Sequence, residues 1–102
     1  MTDTQNTTAP ASLVPEIRPE VWADLEQRYR KLEDTVRRYN PSANFQQIRA
    51  AFEFAAKAHG AQMRKDGSPF ITHPLAVAQI VAEELHLDSE SIEAALLHDT
   101  IE

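Results

Sequence analysis

The chain has 102 residues, 42% of them hydrophobic and 25% charged, a composition that fits one globular domain at most. Its 16 acidic residues against 10 basic ones leave a net charge of -6, with no phosphate-neutralising excess, which argues against DNA or an anionic membrane as partner. Cysteine is absent, so disulfides and thiolate metal sites are excluded, and any metal must be held by histidine and carboxylate.

Residues 1–18, MTDTQNTTAPASLVPEIR, carry no base before Arg18 and no apolar h-region, so they do not read as a signal peptide. Their Thr, Asn, Ala and Pro bias predicts a disordered leader. No stretch approaches the roughly 20 apolar residues that cross a bilayer, and the cytoplasm is the expected compartment. An amphipathic helix is predicted over residues 19–40. Pro19 suits its first turn, and Trp22, Leu25, Tyr29, Leu32, Val36 and Tyr39 alternate at spacings of three and four, one apolar seam on a charged rod. Asn40-Pro41 ends it.

The remaining segment, 44–102, opens on Asn44 with Gln47 three residues later, which predicts a capping box. Phe45, Ile48, Phe52, Ala55 and His59 mark the inner face of this second helix, and Gly60 loosens or ends it. The stretch GAQMRKDGSPFITHP is punctuated by glycine and proline, so residues 63–73 read as a loop. Pro74 fits the first turn of a third helix, LAVAQIVAEEL, which is apolar on most sides and expected to be buried. Asp88 caps a fourth helix with Glu90 in its first turn, and Ile92, Ala95, Leu96 and Asp99 lie on one side of it. No strand signal and no internal repeat is found. The class is all-α, with about four helices.

Of the 4 histidines, His86 at a helix end reads as structural and His59 as a hydrogen-bonded core histidine. His73 stands at the mouth of the third helix, and His98-Asp99 lies on the fourth. Two imidazoles and a carboxylate converging from these elements would suit manganese, iron or zinc. Arg64-Lys65 in the loop reads either as a solvated tip or as a phosphate clamp, with the arginine also able to stack on a base. Glu102 lies one turn beyond Asp99 and is either an exposed acid or part of the same site.

Taken together, AKAHGAQMRKDGSPFITHPLAVAQIVAEELHLDSESIEAALLHDTIE resembles the N-terminal hydrolase region of the long RelA/SpoT homologues, enzymes that make and degrade the alarmone (p)ppGpp in the stringent response. The motifs that carry the resemblance are the RKxGxPxIxHP loop and ALLHDxxE, at matching spacing. It implies an α-helical HD-type metal phosphohydrolase fold and a manganese ion ligated by His73, His98 and Asp99. It further implies that Arg64 contacts the guanine base, that Lys65 lies beside the nucleotide, and that Glu102 is the first acid of a catalytic Glu-Asp pair. The implied reaction removes the 3′-pyrophosphate of (p)ppGpp to give GDP or GTP.

Asp66 departs from the pattern, standing where many members carry serine. The family motif also continues past Glu102 with a second acid, and a fourth, carboxylate ligand and a synthetase domain follow further on. The chain is therefore expected to be the front part of a hydrolase domain, weak in metal binding and inactive by itself. Leu96, Leu97 and Ile101 are expected to form an exposed apolar patch that favours self-association. A ribosome contact is expected of the parent protein. Two other readings stay open: a stand-alone HD-type phosphohydrolase for another nucleotide, and a catalytically inert helical interaction module.

Overall fold

The computed structural model describes residues 17–100, except the side chain of Asp99. The expected leader therefore falls almost wholly outside the described residues, as do Ile101 and Glu102. Four α-helices follow one another: α1 (Pro19–Tyr39), α2 (Phe45–His59), α3 (Thr72–Leu85) and α4 (Ser89–Leu97), with a 3-10 turn at His98–Thr100. No strand forms among the described residues; Met63 and Pro69 make one isolated antiparallel bridge. The all-α expectation holds.

Pro19 is the first residue of α1, where its missing N–H costs no hydrogen bond. Leu25, Tyr29, Leu32 and Val36 of the predicted seam are fully buried, and Trp22 and Tyr39 at its ends are half-buried. The solvent face carries the pairs Asp24–Arg28 and Glu33–Arg37, four residues apart as helical neighbours must be. The seam does not form a separate rod. It shares one core with Ile48, Phe52 and Ala55 of α2, Leu75, Ala78 and Ala82 of α3, and Ile92 and Leu96 of α4. α2 packs on α4, and α3 lies against both α1 and α4.

Half of the predicted capping box forms: Asn44 Oδ1 accepts from the Gln47 N–H at 3.1 Å. The return bond from Gln47 does not form. The Asn44 N–H donates instead to Ser89 Oγ, 3.0 Å away in the first turn of α4. Packing of α4 on α2 brings that hydroxyl within reach, so a distant contact replaces the local one. The Asp88 cap forms as predicted, its Oδ1 accepting from the Ser91 N–H at 2.9 Å.

Three expectations are corrected. α3 is not buried on most sides: Pro74, Leu75, Ala78 and Ala82 are, but Ile80 and Leu85 are exposed at 57% and 62%. Only the sides turned to α1 and α4 are covered. The loop ends at Ile71 rather than at 73, because the Thr72 and His73 amides bond the Pro69 and Phe70 carbonyls at 3.0 and 3.1 Å and start the helix early. Leu96 is fully buried rather than exposed and Leu97 is half-buried, since α2 and α3 already cover that face of α4; Ile101 lies outside the described residues.

Glu93 of α4 is a local misfit. Its Oε2 is sealed from solvent with no hydrogen-bond partner among the described residues. Burial, then the charges of Glu90 and Asp88, push its carboxyl above the ordinary 4.5. The folded chain thus holds this proton more tightly than the unfolded chain does. Its stabilising effect is complete below pH 4.5 and is lost as pH rises through the elevated folded value. Glu93→Gln is therefore expected to raise Tm at pH 7, with a gain that shrinks towards zero in acid; thermal melts across pH check this, and a pH-independent gain would contradict it. Asn44→Ala removes a helix cap and should cost about 1 kcal/mol, lowering Tm by roughly 4–8 °C in a domain of this size.

Candidate functional site

The segment between α2 and α3 is built by backbone geometry. Gly60 ends α2 at φ 57, and Gly67 sits at the tip at φ 90, a conformation that a side chain would strain. The Arg64 N–H donates to Ser68 O at 2.7 Å and the Gly67 N–H to Arg64 O at 2.9 Å, closing a tight turn. Asp66 completes it, its Oδ1 accepting from the Ser68 N–H and hydroxyl at 3.0 and 2.6 Å. Those bonds, the hydroxyl's first, hold the Asp66 carboxyl below its ordinary value. The acid that departs from the family pattern is thereby a turn-former bound to its own loop. The exposed Arg64 and Lys65 flank it, and with Met63 and Phe70 they line an open depression of about 450 Å³.

The two histidines predicted to converge do so. His73, in the first turn of α3, and His98, at the end of α4, have ring centroids 5.9 Å apart, inclined at 59°. His98 Nδ1 donates to Ala95 O at 2.7 Å. A carbonyl can only accept, so the bonded tautomer carries its proton on Nδ1 and its lone pair on Nε2. That arrangement is the one in which a backbone carbonyl orients a metal-binding imidazole. His98 and Asp99 leave α4 in a 3-10 turn, which sets neighbours about 120° apart rather than the α-helical 100°. Among the described residues no group of three ligating side chains comes together. The Asp99 side chain is not described and Glu102 lies outside the described residues, so the structure assembles the imidazole half of the predicted set. The chemistry of that half fits a divalent ion.

His59 differs from the reading of a hydrogen-bonded core residue. It is 6% exposed, yet its Nε2 has no partner among the described residues. Its ring instead stacks on Phe70, 4.7 Å between centroids at 27°. Phe70 carries no signal in the sequence, since a single aromatic in a loop shows no periodicity. His86 is structural as expected: it takes φ 52 at the end of α3 and stacks on Tyr39 at 4.7 Å.

Residues 51–102 match the HD domain family, and the chain belongs to it. Within that family it is similar to RelA/SpoT-type proteins, as its motifs implied. It is 52% identical to a probable GTP pyrophosphokinase of Mycobacterium leprae over 63% of its length. It is 44% identical to the GTP pyrophosphokinase rsh of Brucella ovis over 74%, and 50% identical to the bifunctional (p)ppGpp synthase/hydrolase RelA of Mycobacterium tuberculosis over 61%. The chain spans only 8–10% of the length of these relatives.

The His98 tautomer is directly measurable. Long-range nitrogen–proton spectra of the metal-free chain above pH 8 are expected to show the proton on Nδ1; a dominant Nε2–H form would remove the orienting bond to Ala95.

Proposed function

We propose that this HD region serves a manganese-dependent (p)ppGpp hydrolase that removes the 3′-pyrophosphate to give GDP or GTP, within a longer protein that also carries synthetase activity. The observation that supports it best is the approach of His73 and His98 to 5.9 Å between ring centroids, which unites the two halves of the family motif from separate helices. His73, His98 and Asp99 would hold the ion. Bound there, it would supply a water of lowered pKa and polarise the phosphoryl oxygen.

The chain's own residues do the rest. Arg64 offers a planar guanidinium that can stack on guanine and hydrogen-bond, whereas Lys65 offers a point charge suited to phosphate. Glu102 would accept a proton from the attacking water and deliver one to the ribose 3′-oxygen as its bond to phosphorus breaks, a general acid–base effect of about 10²–10⁴-fold where such a group is well placed. The names of the relatives, which refer to GTP and (p)ppGpp, support a guanine nucleotide as ligand. No described helix is long and apolar enough to cross a membrane. A cytoplasmic location suits the proposed nucleotide substrate.

The test is nuclear magnetic resonance of the chain with Mn²⁺ and with ppGpp in separate titrations. Mn²⁺ should broaden the ring signals of His73 and His98 first, and His73→Ala should abolish the broadening at His98. For ppGpp, Arg64→Ala should weaken binding more than Lys65→Ala does, about tenfold against a few-fold. Broadening spread evenly over the acidic surface, together with no ppGpp response, would favour an inert helical module instead.

A further inference from the structure

Phe70 is the point where the loop and the candidate ligands meet. Its N–H donates to Gln62 O at 2.8 Å, and its carbonyl accepts from the His73 N–H at 3.1 Å. The Arg64 guanidinium lies 6.0 Å from the centroid of its ring. That ring in turn rests on His59, the last residue of α2. Phe70 thus has the base-binding candidate within cation–π range of its ring, the metal-binding candidate hydrogen-bonded to its carbonyl, and the end of α2 against its ring through a histidine.

His59 is an awkward choice for a filler. A buried ring nitrogen without a partner is destabilising, and an aliphatic side chain would occupy the same space without it. Only a flat ring can make an offset stack with Phe70, a contact whose geometry restrains both partners. Short side chains elsewhere in α2 (Ala51, Ala55 and Ala56) pack without any such restraint. The stack transmits the rigidity of a helix to a loop that is otherwise held by turn bonds and is exposed from Gln62 to Gly67.

We infer that His59 is a positioning residue: by stacking on Phe70 it sets, from α2, the relative placement of Arg64 and His73. It touches neither nucleotide nor metal. The inference rests on the proposed function for its consequence, since Arg64 and His73 must belong to one site for their spacing to matter. Its structural content is independent of any ligand.

The experiment compares the wild-type chain with His59→Ala and His59→Phe by nuclear magnetic resonance, first without ligand and then with ppGpp. In the ligand-free chain, His59→Ala should shift and broaden the Arg64 Nε–H and His73 amide signals while those of Leu32 and Val36 in α1 stay in place. His59→Phe, which keeps an aromatic face on Phe70 and discards the unpaired nitrogen, should restore both signals and raise Tm above wild type. With ppGpp, His59→Ala should weaken binding about tenfold, or about 1.4 kcal/mol, and His59→Phe should recover it. Unchanged Arg64 and His73 signals in a folded His59→Ala chain would overturn the inference. So would a His59→Phe chain as disturbed as His59→Ala, which would assign the role to the nitrogen. If His59→Ala does not fold, Phe70→Leu makes the same comparison from the half-buried side of the stack, and undisturbed signals there overturn it equally. A wild-type chain that ignores ppGpp would defeat the proposed function, while the ligand-free comparison would still decide this point.

Discussion

Face-to-face packing of Tyr29 on Phe52, with centroids 4.8 Å apart at 15°, joins α1 to α2 and lets one core serve all four helices. Trp22 meets the same Phe52 edge-on at 6.2 Å, so the phenylalanine is gripped from two turns of α1. Removing a ring buried to this degree commonly costs 3–5 kcal/mol, about the stability margin of a small domain. Arg49 reinforces the junction from the solvent side. Its guanidinium forks onto Glu26 at 2.5 and 2.9 Å, reaches Glu53 at 3.0 Å, and lies 5.2 Å from the Tyr29 ring centroid. The cost of this arrangement is visible at the Tyr29 hydroxyl, which is buried without a partner among the described residues. Burial, and then the charge of Glu33, push it above its ordinary range.

The far end of α1 is fastened by polar contacts. Tyr39 donates its hydroxyl to Leu87 O at 2.7 Å and stacks on His86, so the corner between α3 and α4 is held against α1. Midway, Gln79 Nε2 donates to Thr35 Oγ1 at 2.8 Å and to Glu83 Oε2 at 2.7 Å, a polar seam between α1 and α3. The two half-buried links between helices, Tyr39–Leu87 and Gln79–Thr35, add less energy than the apolar core, but they favour one register, because a slip by one turn would separate their partners. His73 at the start of α3 and His98 just beyond α4 depend on that register for their approach.

The candidate site is accordingly a consequence of helix placement more than of loop shape. α3 and the 3-10 turn that follows α4 each contribute one imidazole, α2 supports the loop through His59 and Phe70, and α1 holds α3 in place from behind. The α1 segment lies outside the matched HD residues, 51–102, yet it supplies four of the fully buried core side chains (Leu25, Tyr29, Leu32 and Val36). It is structurally part of the unit that carries the site.

By itself the sequence determined the helices and their inward faces. Leu25, Tyr29, Leu32 and Val36 on α1, Ile48, Phe52 and Ala55 on α2, and Ile92 and Leu96 on α4 are all legible from a 3.6-residue period, and the caps at Asn44 and Asp88 from local side-chain chemistry. The motif residues Arg64, Lys65, His73, His98 and Asp99 were legible through their spacing, because that spacing carries the family resemblance. Tertiary structure decided what depends on partners distant in sequence. It decided that Ser89 rather than Gln47 satisfies the Asn44 amide, that Ile80 and Leu85 stay exposed although the α3 sequence is apolar on most sides, and that His59 is stacked on Phe70 rather than hydrogen-bonded. Periodicity reports which side of a helix avoids water, but not how much surface its neighbours cover. A hydrogen-bond donor or an aromatic face takes whichever partner packing brings within about 3–5 Å, and that distance is set only when the helices meet.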